Sequence, residues 1–364
     1  MPHHYPKKLY HRTAILLCAA LMTAPAYGAD RSLKVATFAG GYASAQKQAI
    51  FDAYTDETGI DIEMIETDDG ITAVIPDQNG KAAAHIVVLD YQHARKACEE
   101  GKLAHLEASE VLIAEKNVPL TDDFVPNGLS DCSVGNSVNS LVLAYDRSKH
   151  PQTHPSTPAD YFNLEKFPGK RGMRPDPHAA LILASLATGA THENVYKTLE
   201  SAQGVEAAFR KLKQVETEIV WWRTGQQAVD YLATNMVTMT TAFHSWVYHA
   251  RVTEGRPLGL VWTGQQAQID VWAIPKSAGK QSLAANFIRF ATDKDRLAAQ
   301  SNLIPYGPAR MSAFPLIKDE MREHLPNTPE HGDTIVWIDH SWWEKNGTPL
   351  EKRFAVWVAK SQNM

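Results

Sequence analysis

The sequence predicts an α/β protein built on a mostly parallel sheet, and three observations carry the prediction. Short apolar runs alternate with amphipathic stretches of helical period, the order that lays parallel strands beside helices. One run, His85-Ile-Val-Val-Leu-Asp90, is apolar on both faces, as a strand covered on both sides must be. After an N-terminal leader, roughly 335 residues remain, more than one compact unit usually holds.

The leader comes first. Lys7, Lys8 and Arg12 precede the apolar run Thr13–Met22, and a small-residue stretch follows to Ala29. That order defines a secretory signal peptide over 1–29. Its apolar core falls short of the ~20 residues a membrane span needs, and Leu17 before Cys18 argues against a lipid anchor. The mature protein is therefore expected outside the cytoplasm, in the periplasm.

Leu33–Phe38 reads as a strand running into Ala39-Gly-Gly-Tyr42, and a helix follows from about 43 to 58, stopped by Gly59. Ile60, Ile62 and Met64 alternate with Asp61 and Glu63, giving a strand with one wet face. After 85–90, a helix ends at Gly101. Ser140–Tyr145 is the next strand, then a proline-rich loop and helices at about 178–188 and 204–216. Strands are expected at Glu218–Trp222, Val237–Phe243, Leu258–Trp262 and Ile269–Ile274. A helix at Ala284–Thr292 and a tryptophan-rich tail with a helix at Leu350–Lys360 complete the order.

Without the leader, 33 basic residues face 41 acidic ones, a net charge near −8. Nucleic acid and anionic membrane demand a basic face, so neither is an expected partner. A cationic small ligand suits the balance. Cys98 and Cys132 survive cleavage, and in an oxidising compartment such a pair is expected to be joined, the alternative being two buried thiols. The loop so closed would add ~3–4 kcal/mol by restricting the unfolded chain.

The chemistry motifs are mostly missing. The sequence has no G-x-x-x-x-G-K-[ST] loop, no H-E-x-x-H, no paired C-x-x-C and no G-x-S-x-G elbow. His244 and His249 stand five apart, a poor spacing for shared metal ligation. No cofactor, metal or catalytic residue is expected. A secreted hydrolase assembled from distant residues is the alternative of another class.

Several segments in order resemble a known family: Gly-Gly-Tyr42 before a helix ending Glu57-Thr-Gly-Ile60; Ile86-Val-Val-Leu-Asp-Tyr91; Val134-Gly-Asn with Leu141–Asp146; Ile269-Asp-Val-Trp-Ala-Ile-Pro275; and Ile304-Pro-Tyr-Gly-Pro308. Over nearly the whole mature chain the sequence resembles the extracellular solute-binding proteins of ABC importers, in particular the spermidine/putrescine-binding branch. The resemblance implies a two-lobe periplasmic-binding-protein fold (type II), hinge-linked, with ligand captured in the cleft. Lobe 1 would span 30–136 plus 272–314, and lobe 2 137–271 plus 315–364. The partner would be an inner-membrane permease, and the protein a monomer; a receptor-coupled sensor on the same fold is the variant role.

In polyamine-binding relatives, carboxylates hold the ammonium groups and aromatic rings flank the methylene chain, since a desolvated ammonium needs both. Asp270 falls where the family places an amine-binding aspartate, and Tyr306, Phe243 and Tyr42 at aromatic positions. Asp90 and Tyr91 end a strand that points toward the cleft; Asp90 could equally cap the next helix. Trp222 and Trp272 are added as neighbours of these positions. The sequence departs from the family at Pro175-Asp-Pro-His-Ala-Ala180, where only Asp176 remains of the second lobe's carboxylates. Arg223, at a strand end, would repel a diamine if it points inward and would clamp a carboxylate instead. The ligand is then either a putrescine- or spermidine-type amine or an ω-amino acid such as 4-aminobutyrate.

Overall fold

A computed structural model describes residues 31–361, with Met1 and His3, so the leader expected at 1–29 lies outside the described residues. Its strands are β1 (Ser32–Phe38), β2 (Asp61–Thr67), β3 (Ile86–Asp90), β4 (Leu129–Ser130), β5 (Ser133–Asp146) and β6 (Arg171–Met173). Then follow β7 (Ile219–Trp221), β8 (Met239–Phe243), β9 (Leu258–Ala273), β10 (Gly307–Pro308) and β11 (Val336–Trp337). They form one sheet in the order β2-β1-β3-β9-β5-β8-β6-β7, with β4 and β10 on β5 and β11 on β9.

The two ends of this sheet are parallel: β1 with β2 and β3, and β6 with β7 and β8. The middle is not. β5 and β9 run antiparallel to each other, and they join the two halves through antiparallel pairing with β8 and β3. The expected mostly parallel sheet is thus corrected to a mixed one. Strand–helix alternation reports local crossovers and carries no information on long strands that pass between halves.

The runs Leu258–Trp262 and Ile269–Ile274, expected as two strands, are one 16-residue strand. Leu141 pairs with Gln266 and Leu143 with Val261, so the polar stretch 262–265 is a bulge inside β9, not a loop. Gly264, at φ 74°, takes the left-handed conformation that bends it.

The helix after Tyr42 runs Gly41–Gln46, Lys47–Phe51 and Asp52–Thr58, with a π turn in its middle segment, and it buries Ile50, Phe51 and Tyr54. The C-terminal helix His340–Ser361 starts a turn or more before the expected Leu350, because buried Trp342 and Trp343 hold the segment ahead of Pro349.

The apolar core divides on either side of the crossing strands. One part gathers Leu33, Val35, Ile50, Ile86–Leu89, Ile269, Val271 and Phe287. The other gathers Leu143, Phe162, Leu181, Phe209, Met239, Val261 and the tail's Phe354 and Trp357. Ile317, Met321 and Leu325 pack with Leu297 and Phe314, while Lys294 and Arg296 pair with Glu115 and Glu57. Among the described residues no helix is long and apolar enough to cross a membrane.

Cys98 and Cys132 are joined, with Cα atoms 5.9 Å apart, tying the helix Tyr91–Glu99 to the start of β5. Replacing both by serine is expected to cost ~3–4 kcal/mol, from the 34-residue separation the bond closes. Guanidinium unfolding under non-reducing conditions measures it; an unchanged midpoint rejects a stabilising bond.

Candidate functional site

The site is laid out by the period of β9. Side chains two apart share a face of a strand, which sets Gln266, Gln268 and Asp270 on one side. Ile269 turns the other way, against the backbone of Gly135. Asp270 is also where three strands meet, opposite Asp90 of β3 and Ser137 of β5.

Asp270 is only 8% exposed and, among the described residues, forms no ion pair. Its Oδ2 accepts a hydrogen bond from Ser137 Oγ at 3.1 Å. Ser137 Oγ lies 2.9 Å from the Tyr42 hydroxyl, which accepts in turn from Asn136 Nδ2 at 2.7 Å. Burial, then the neighbouring Asp90 charge, push the Asp270 carboxyl up to about 7, against the opposing bonds from Ser137 and Tyr42. Burial and the same carboxylate raise Tyr42 well above its usual value and Tyr306 to about 12. The two tyrosine rings meet edge-on at 5.1 Å.

Asp90 behaves differently. It caps the helix Tyr91–Glu99 by accepting from the His93 N–H at 2.9 Å, and its other oxygen meets His93 Nδ1 at 2.6 Å. Burial raises its carboxyl, but the two His93 bonds outweigh that and leave it below the usual range. Of the two roles weighed for Asp90, the structure shows the helix cap, and the residue also lines a cavity.

A cavity of about 200 Å³ opens beside Asp90, lined also by Tyr91, Arg174, Phe243, Gln266 and Gln268. His340, at the start of the C-terminal helix, closes it, with its imidazole driven down to about 4 by burial. A larger cavity, about 560 Å³, has Tyr42 and Tyr306 on its wall, with Trp246, Leu303 and Ile304. Trp246 can lie there because residue 225 is glycine; a Cβ would come within 2.2 Å of the indole nitrogen.

The structure brings Tyr42, Asp270 and Tyr306 together and sets Asp90, Tyr91 and Phe243 around the adjoining cavity. Trp272 and Trp222 are corrected to core positions. Trp272 is fully buried between Phe51 and Phe287 at the end of β9, and Trp222 is fully buried against the edge of Phe243. Arg223 is exposed and lines neither cavity; only its backbone N–H is engaged, by Gln227. Asp176 spends its carboxylate capping the helix Pro177–Leu186.

Sequence reasoning missed Asn136, Ser137, Gln266, Gln268 and Arg174. The spacing Gln-x-Gln-x-Asp over 266–270 was the available signal for two of them. His244 is structural: its buried Nε2 donates to the Pro305 carbonyl at 2.5 Å and its Nδ1 accepts from the Ser140 N–H at 3.1 Å.

A mixed sheet in two halves joined by crossing strands, with a polar cleft at the crossing, defines a solute-capturing protein. The sequence matches the model of the bacterial extracellular solute-binding proteins over residues 49–327. The chain belongs to that family, whose members bind solute for ABC transporters and are not enzymes. It is 32% identical over 338 residues to the gamma-aminobutyric acid-binding protein of Pseudomonas aeruginosa, covering 93% of this chain and 94% of that one. An ABC transporter substrate-binding protein from Bradyrhizobium japonicum is 27% identical, with a TM-score of 0.78 over 90% of this chain and 99% of its own. The spermidine/putrescine-binding protein PotD of Streptococcus pneumoniae shares the fold at 18% identity, with a TM-score of 0.71 over 90% of this chain and 99% of that one.

Asp270 also predicts a pH dependence. Its folded value, about 7, exceeds the ~3.9 of an unfolded aspartate, so the folded state binds the extra proton. The stabilisation is complete below pH ~4 and lost as pH rises to about 7. Asp270→Asn is therefore expected to stabilise the unliganded protein at pH 8 and change little at pH 4.5. Urea unfolding at both values checks it; an equal difference at the two pH values rejects it.

Proposed function

We propose that this protein is a monomeric periplasmic receptor that captures an ω-amino acid of the 4-aminobutyrate type for its ABC permease. The hinge would lie where β5 and β9 cross, with lobes close to 30–136 plus 272–314 and 137–271 plus 315–364. The packing of Ile317–Leu325 favours moving the second crossing to about residue 325.

One observation carries the reading. Asp270 is a buried carboxylate to which the protein supplies hydroxyl donors and no cation. A ligand ammonium is the partner it lacks, and the Tyr42 and Tyr306 rings add ~0.5–2 kcal/mol of cation–π attraction.

A diamine needs a second free carboxylate, and the alternatives are occupied: Asp90 by His93, Asp176 by its helix cap. The Arg174 guanidinium on the cavity wall favours a carboxylate at the ligand's far end instead. The similarity to the gamma-aminobutyric acid-binding protein points the same way.

A thermal-shift series with 4-aminobutyrate, other ω-amino acids, putrescine and spermidine tests the proposal. A ligand at 100 times its dissociation constant stabilises by ~2.7 kcal/mol. The 4-aminobutyrate type is expected to shift the transition and the polyamines are not; Asp270→Asn should abolish the shift. A response to polyamines alone returns the ligand to the putrescine/spermidine class.

A further inference from the structure

We propose that the 200 Å³ cavity beside Asp90 contains a carboxylate subsite read by Arg174. The inference rests on the ω-amino acid reading above and names the residue that selects for it.

Arg174 follows β6, and its half-buried guanidinium lies over the face of Phe243, 5.7 Å from the ring centroid. Among the described residues the guanidinium makes no ion pair and no hydrogen bond; the residue's carbonyl accepts from the Asp176 N–H at 2.8 Å. The chain's fully buried guanidiniums are treated otherwise. Arg171, three residues earlier, donates to the carbonyls of Tyr161, Gly169 and Phe167. Arg310 pairs with Asp123 at 2.5 Å. The half-buried Arg174 guanidinium keeps its access to the cavity and has no acid of its own there, so its fork is open to a ligand carboxylate. The nearest acids in sequence and cavity, Asp176 and Asp90, are spent on helix caps.

A second vacant group lines the same cavity. Gln266 is 4% exposed; its Nε2 donates to the Ala179 carbonyl at 3.0 Å, while its buried Oε1 has no partner. The cavity thus presents one unanswered cation and one unanswered acceptor, the complement of a zwitterion with both ends inside the cleft. A carboxylate fits edge-on against the guanidinium fork, with Phe243 as its floor, while the ammonium end runs along Gln266 and Gln268 toward Asp90 and Asp270.

Calorimetric titration of the mature protein with 4-aminobutyrate and with butylamine, which lacks the carboxylate, tests the subsite. Arg174→Ala is expected to weaken 4-aminobutyrate by at least about tenfold and to leave butylamine within about twofold. Arg174→Lys should recover part of the loss, since it restores charge without the fork. Unliganded thermal unfolding of each variant, matched to wild type, excludes a folding defect as the cause. Arg174→Ala binding 4-aminobutyrate as wild type does overturns the proposal, and so does a loss confined to Arg223→Ala. A wild-type protein that takes putrescine and no carboxylate-bearing probe overturns the ω-amino acid reading itself, a result visible before any variant is made.

Discussion

A carboxylate held in the interior without a protein cation is the constraint around which this cleft is arranged. Removing an ion from water costs several kcal/mol even after relaxation, and a neutral hydrogen bond returns about 1 kcal/mol net. The chain of donors from Asn136 through Tyr42 and Ser137 to Asp270 therefore orients the acid more than it compensates it. The consequence is a carboxyl poised near neutrality, at about 7. Asp90, one strand away and more exposed, shows the opposite outcome: with a histidine ring and a helix N–H to meet it, it stays ionised. Two acids at paired positions have been given different states by their burial and their partners.

The same residue is tied to the architecture. β9 enters the second core through Leu258 and Val261 and ends in the first through Val271 and Trp272, so Asp270 lies on a strand that both halves hold. The Tyr306 loop is fixed from the other half by His244, which bonds the Pro305 carbonyl and the Ser140 N–H simultaneously. Burial keeps that imidazole neutral down to about pH 4, as a ring that donates through one nitrogen and accepts through the other must be. Polar groups at the crossing thus serve both to join the halves and to shape the pocket floor.

Much of this was readable in the chain. The alternation Ile269-Asp270-Val271 put the acid on the face opposite two apolar residues, and Asp90 and Phe243, named from the sequence, line one cavity. What failed was long-range. The stretch 263–268 fell between two expected strands because its bulge and its pairing with β5 are tertiary facts, and Gln266 and Gln268 were lost with it. Trp222 and Trp272 were misplaced because adjacency to a site residue says nothing about which core captures a large ring. Arg174 lay hidden beside Pro175 and Asp176, where attention went to the acids that the segment lacks.

The division of charge between the halves bears on how closure discriminates. A ligand shifts an open–closed equilibrium only by its difference in affinity for the two forms. Asp270 and its tyrosines belong to the crossing floor and the first half; Arg174 and Phe243 belong to the second. A monocation satisfies the acid in either form and so draws little toward closure. A diamine satisfies the acid but meets a guanidinium when the second half approaches. On the ω-amino acid reading, only a molecule with ammonium at one end and carboxylate at the other would gain its second interaction as the halves meet. Selectivity would then arise from the closing motion itself, since the contact that distinguishes the ligand is the contact that closed geometry creates.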